Sequence, residues 1–219
     1  MKPEELEQLK IPIYDRVKDA IETGDKNQAF KLLDELKEHK EEFKQGLLLW
    51  ISDLLKFVGD KLGDEGVYEH YKKHAEKLNA QYVRSFGDSS KMSIEDKMRR
   101  RSREVVGWHL MKVVCLKEDE EKYIWTLQCD SGGWLLGQGV GKTKKAYPWT
   151  YGRKNFSYYC AHCSMTHEID YIESLGYPDW VVFPPEKAGD PCIQYFYKDP
   201  KSVPEKYYAR VGKKKVLKP

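Results

Sequence analysis

The chain has 219 residues, of which 40% are hydrophobic, 13% aromatic and 33% charged, with a net charge of +3. That length buries a sizeable core in one large domain or two modest ones, and so small a net charge does not by itself imply an electrostatic partner. The longest apolar run, Leu47 to Ile51, is too short to cross a bilayer.

No basic-then-apolar leader opens the sequence, so a cytoplasmic protein without membrane association is expected. Charge is uneven: residues 1–80 hold 14 basic and 18 acidic side chains, and the remainder 24 and 17. All five cysteines lie between Cys115 and Cys192. An odd, clustered set argues against a disulfide framework and for metal or thiol chemistry.

Leu6, Leu9, Ile13, Val17, Ala20 and Ile21 recur at steps of three and four, the stripe of an amphipathic helix that Gly24-Asp25 ends. Residues 26–62 repeat the pattern as one long helix or two. Gly59, Gly63 and Gly66 punctuate it, and a third helical piece spans residues 66–81. These elements make a helical hairpin or small bundle. Ser85 to Ser90 is small and mostly polar and marks a domain boundary. Ser93 with Asp96 three residues on predicts a capped helix running to about Val106.

From Gly107 the period turns extended, with strands over residues 108–116 and 123–129 joined by an acidic turn at Glu118 to Glu121. A basic glycine-rich loop over residues 137–145 comes next, then a Cys/His-rich stretch. A helix over residues 167–175 ends at Gly176, and two further strands cover residues 180–183 and 192–197. An irregular basic end is expected to fray. The fold class is α+β: an N-terminal helical domain over residues 1–85, a compact domain with a small antiparallel sheet and a Cys/His metal site over 92–205, and a basic tail over 206–219.

Cys160-x-x-Cys163 is the spacing by which two thiolates reach one tetrahedral ion from a tight turn. His167 comes four residues after Cys163 and Cys192 stands on the next strand, so Cys160, Cys163, His167 and Cys192 are the expected metal ligands. His162 is an alternative whose side chain is expected to point away, and Cys129 is a reserve. Glu168 is the nearest carboxylate for shuttling a proton. The competing explanations are ordinary buried thiols with a surface histidine, and a redox dithiol, which requires CxxC at a helix start in a βαβ setting.

His109, beside Trp108, is a candidate pocket residue and second catalytic group. His70 and His74 are spaced for a metal but lie among lysines, and Cys115 reads as core packing. Gly137 to Thr143 ends in Gly-Lys-Thr but lacks the phosphate-loop spacing, because Leu136 stands where the first glycine belongs. It reads as a mobile basic loop. Within Lys97 to Arg103, the side chains of Arg99, Arg100 and Arg103 are candidate anchors for a substrate carboxylate; the alternative is a solvated helix face. Nucleic acid is disfavoured, because no helix-turn-helix signature and no downstream finger histidine pair occur.

Tyr159-Cys160, Gly176-Tyr177-Pro178 and Gly189-Asp190-Pro191-Cys192 together resemble the bacterial proteins grouped with L-2-amino-thiazoline-4-carboxylic acid hydrolases, and more distantly the 4-vinyl-reductase small-molecule-binding domain. The resemblance covers mainly residues 93–200. It implies a ligand pocket in the C-terminal part, with Cys160 and Cys192 near it.

The expected function is that of a metal-dependent enzyme, with zinc or alternatively iron, acting on a small carboxylate-bearing or heterocyclic molecule by hydrolysis or lyase chemistry. The alternative is a non-catalytic small-molecule-binding or sensor module with a structural zinc. A homodimer through the helical domain is a further expectation.

Overall fold

The computed structural model describes residues 10–86, 89–109 and 111–216. The chain forms two compact units, one up to Leu47 and one from Leu48 onward. In the first, helix α1 (Ile13–Glu22) and the start of α2 (Lys26–Phe86) form a hairpin around Val17, Ala20, Ala29 and Leu32. Gly24 makes the turn at φ 78, where its own N–H bonds to Ile21 and that of Asp25 to Ala20. Such left-handed helix ends favour glycine. The Asp25 carboxylate then accepts the Gln28 N–H at 3.0 Å and caps α2. Leu6 and Leu9 lie outside the described residues.

In the second unit α2 shares a core with the C-terminal elements. Leu48, Leu55, Val67 and Tyr71 are buried in the same cluster as Trp149, Phe156, Tyr158 and Met165. The boundary expected between Ser85 and Ser90 therefore falls inside this unit, although Gly87 and Asp88 lie outside the described residues. Of the three punctuating glycines only Gly63 leaves helical geometry, at φ 72 and ψ −176. Gly59 serves close packing, because a Cβ there would sit 2.4 Å from the Tyr158 ring.

Helix α3 (Ile94–Ser102) begins as predicted, with the Ser93 hydroxyl accepting the Asp96 N–H at 3.1 Å. It runs on as a π-helix over Arg103–Trp108, so the first strand starts later than the sequence pattern implies. Four antiparallel strands, β1 (Lys112–Glu118), β2 (Lys122–Gln128), β3 (Val181–Phe183) and β4 (Pro191–Tyr197), are ordered β1-β2-β4-β3. On one face Trp125 and Leu127 of β2 pack with Cys192 and Phe196 of β4 and with Val105 and Trp180.

Gly132–Leu135 is a single helical turn, α4. Helix α5 (Ala161–Cys163) continues without a break as a π-helical segment, Ser164–Ile169, and then as α6 (Asp170–Leu175), which stops at Gly176 with φ 88. The helix thus starts six residues before the predicted His167. The basic end is packed through Lys215: Val203, Tyr208 and Val211 are buried around α7 (Glu205–Ala209). The Lys215 ammonium donates to the carbonyls of Lys201 and Val203 at 2.6 and 2.8 Å. Among the described residues no helix is long and apolar enough to cross a membrane.

Candidate metal centre

His162, Cys163 and His167 form a group that can hold a metal ion, with one ligand atom from each lying within 4.8 Å of the others. Helix geometry bears on the grouping. In a regular α-helix positions i and i+4 are neighbours, which pairs Cys163 with His167 and turns His162 away. The π segment Ser164–Ile169, which lies between the two histidines, closes its hydrogen bonds five residues apart, and this wider turn is compatible with His162 and His167, five apart, sharing a face. The Thr166 hydroxyl donates to the His162 carbonyl, a side-chain bond that competes with the regular ladder.

The ligand atoms are disposed so that they could take a cation. Nδ1 of His162 lies 2.8 Å from the Tyr159 carbonyl oxygen, which only accepts, so Nδ1 carries the proton. The lone pair is left on Nε2, 3.5 Å from Cys163 Sγ. A backbone carbonyl orienting the remote ring nitrogen is how metal-binding histidines are commonly held. The His167 ring packs on Trp180 at 4.3 Å and lies 6.1 Å from the His162 ring.

Burial lowers the pKa of both histidines, most strongly for His167, where the Arg101 cation adds to the effect. Burial pushes the Cys163 thiol up to about 11, opposed by Arg101. Without an ion the group is two neutral imidazoles and a thiol. A soft divalent cation would displace the thiol proton on binding.

Cys163 and His162 also line a cavity of about 40 Å³, together with Arg101, His109, Cys129, Cys160 and Cys192. That volume holds roughly three waters. Four of the five cysteines thus meet in one place, from three segments of the chain. Gly132 makes room for one of them, since a Cβ there would lie 2.7 Å from Cys160 Sγ. Burial raises the thiols of Cys129, Cys160 and Cys192 as well. His109 faces the same space, its Nδ1 3.0 Å from the Ser131 hydroxyl.

The predicted residues divide. Cys163 and His167 come together as expected, and His162 joins them instead of pointing away. Cys160 and Cys192 line the cavity but are not members of the three-residue group. Glu168 is committed elsewhere. It is fully buried and accepts from Arg210 Nη2 at 2.9 and 2.8 Å, from the Tyr151 hydroxyl at 2.8 Å and from the Val182 N–H at 3.0 Å. The Arg210 guanidinium is itself stacked among Tyr151, Phe183 and Tyr207. Burial raises the pKa of this carboxyl, opposed by Arg210 and the Val182 N–H, and its oxygens are engaged by these partners rather than turned to the cavity that Cys163 and His162 line.

The arginine cluster is also rearranged. Arg99 is exposed and pairs with Asp96, and Arg103 is exposed. Arg100 is buried in an ion pair with Asp179, which Lys97 also approaches at 3.5 Å. The expected solvated face is in good part an internal charge network. The arginine at the cavity is Arg101, which lies inside the expected anchor run Arg99 to Arg103 but is not one of the three singled out in it. Its Nε donates to Gln194 Oε1 at 3.1 Å and its Nη1 to Glu104 Oε2 at 3.0 Å, while its guanidinium lies over Trp180 at 4.7 Å. Nη2 has no hydrogen-bond partner among the described residues. An unbroken Arg99-Arg100-Arg101 run carries no signal as to which member faces inward, because that depends on where Trp180 and Gln194 sit.

His70 and His74 stack at 6.2 Å without joining a ligand group, and Cys115 lies on the edge strand β1. No protein-family model, curated protein or solved structure matches the chain.

Proposed function

We propose that the second unit is a metal-dependent enzyme, with zinc held by His162, Cys163 and His167, that acts on a small carboxylate-bearing molecule by hydrolysis or lyase chemistry. One observation carries this reading: among the described residues the group supplies three protein ligands rather than four, and two of them face a cavity that also holds a buried arginine. Structural zinc sites are closed by four protein ligands, whereas catalytic ones keep a position for water or substrate. Zinc in such a site lowers the pKa of bound water to about 7 and polarises carbonyl groups. Arg101 Nη2 is the donor for a carboxylate head group, held in place by Glu104, Gln194 and Trp180. His109 is the histidine at the cavity not assigned to the metal, and so the candidate for proton transfer.

Elemental analysis of the purified chain tests the metal, with one zinc per chain expected. Cobalt substitution then tests the open position. Thiolate-to-cobalt absorption that shifts on adding a small anion supports the enzyme. A spectrum indifferent to added ligands supports a closed site, and with it a non-catalytic sensor module in which Cys160 or Cys192 completes the shell. A chain that takes up no stoichiometric metal, and is unchanged by Cys163→Ser, removes both.

A further inference from the structure

We propose that a cationic cleft on the outer side of Cys160 is a binding site for a phosphate monoester carrying an apolar body. The cleft has a volume of about 340 Å³, and Lys142, Arg153 and Lys154 line it. The first of these belongs to the glycine-rich loop that reads in sequence as mobile. In the structure that loop is pinned. Lys142 bridges Ser157 in antiparallel fashion, the Thr143 N–H donates to the Phe156 carbonyl at 2.9 Å, and the Asn155 N–H donates to the Thr143 carbonyl at 3.1 Å. The buried Thr143 hydroxyl accepts the Phe156 N–H at 3.2 Å. Gly141 permits the close approach: a Cβ there would lie 2.9 Å from the Lys56 Cα. Two arms held in this register deliver Lys142 from one side and Arg153 with Lys154 from the other to one mouth.

Two of the three positive charges at that mouth are not used internally. The side chains of Lys142 and Lys154 are exposed and have no hydrogen-bond or ion-pair partner among the described residues. Arg153 makes two long polar contacts, 3.7 Å from Nη1 to the exposed Glu186 and 3.4 Å from Nη2 to the Pro185 carbonyl, and its guanidinium lies over the Phe156 ring at 4.5 Å, which leaves hydrogen-bonding capacity for an anion. Three cations and one acid leave two positive charges. A phosphate monoester carries close to two negative charges at neutral pH, whereas a carboxylate carries one. A guanidinium fork beside two ammonium groups suits phosphate oxygens geometrically as well.

The cleft is too large for the anion alone and falls at the small end of small-molecule sites, which span roughly 300–1,000 Å³. Leu136 is partly exposed at the cleft and provides apolar surface for the rest of the ligand, over a floor to which the buried Phe156 and Pro185 contribute. Its inner wall is Cys160 and Pro185, which also line the thiol cavity. The cleft adjoins the candidate metal centre but needs no metal.

The test is calorimetric titration of the full chain with phenyl phosphate, inorganic phosphate and benzoate at fixed ionic strength, in metal-free and zinc-loaded protein. Phenyl phosphate is expected to bind one to one, about tenfold or more tighter than benzoate and tighter than inorganic phosphate, equally in both forms. Lys142→Ala with Lys154→Ala, which removes no side-chain contact within the described fold, is expected to weaken phenyl phosphate by about tenfold or more, and Arg153→Lys by a smaller factor. Wild-type affinity in the double variant, or benzoate binding as tightly as phenyl phosphate, overturns the proposal. Binding that appears only with zinc loaded assigns the phosphate to the metal and overturns the cleft too, whereas metal-free binding stands even if the chain holds no zinc.

Discussion

His167 and Glu168 are adjacent in sequence, and both are buried in the same π-helical segment, yet the structure treats them in opposite ways. The Glu168 carboxylate is satisfied from three directions, by Arg210, Tyr151 and the Val182 N–H. His167 has an aromatic neighbour in Trp180 and two potential co-ligands, His162 and Cys163, and its charged form is opposed by burial and by Arg101. Buried polar groups whose bonding is complete hold a fold together. A group of neutral donors whose ligand atoms lie within 4.8 Å of one another could instead hold a metal ion.

The largest expected effect is on the satisfied side. Glu168→Ala leaves the half-buried Arg210 without its anion and the Tyr151 hydroxyl and Val182 N–H without their acceptor, and should cost about 3 kcal/mol of stability in urea titration, with zinc uptake retained in whatever fraction stays folded. Loss of zinc at unchanged stability would erase the contrast. Next, Cys163→Ser should weaken zinc binding by about 100-fold or more in a chelator competition, equivalent to roughly 2.8 kcal/mol, with the apo fold intact by circular dichroism.

Third comes the pH dependence of metal-free protein. The folded pKa of His167 is depressed below its ordinary 6.5, so the unfolded chain takes up the proton first as pH falls through that value. Stability is therefore full above pH 6.5 and is lost below it, at up to about 1.4 kcal/mol per pH unit. His167→Phe keeps a ring against Trp180 and should flatten that slope in urea titrations run across the range; an unaltered slope would mean that His167 is not the buried neutral group. The smallest effect separates ligands from neighbours. Cys160→Ser and Cys192→Ser should each change zinc affinity by no more than about threefold, below the 10–100-fold typical even of lost supporting contacts. A loss matching that of Cys163→Ser would put four ligands on the ion and favour the structural-zinc reading.

Much of the local structure was legible in the chain because it is written in nearest-neighbour chemistry. The Ser93 cap, the Gly24 and Gly176 helix ends, the acidic turn between β1 and β2 and the last two strands all stem from residues within a few positions of one another. The concentration of soft ligands around Cys160 to His167 was equally visible, and the change from helical to extended period after Gly107 showed the mixed α+β class. The order of residues alone established which side chains were available and on which elements.

Tertiary structure decided which of them meet. A π turn, invisible to a 3.6-residue period, lies where His162 meets His167 and Cys163. Arg210, 42 residues further along, removed Glu168 from the chemistry. Arg101 rather than its neighbours was turned to the cavity by Gln194 and Trp180, more than 75 residues away in sequence. The cationic cleft exists because Thr143 and Phe156 pair across a loop that reads as mobile. Apart from the π turn, the deciding contacts join residues well separated along the chain. A side chain's burial, charge state and partners depend on what the fold places opposite it, and no local pattern carries that information.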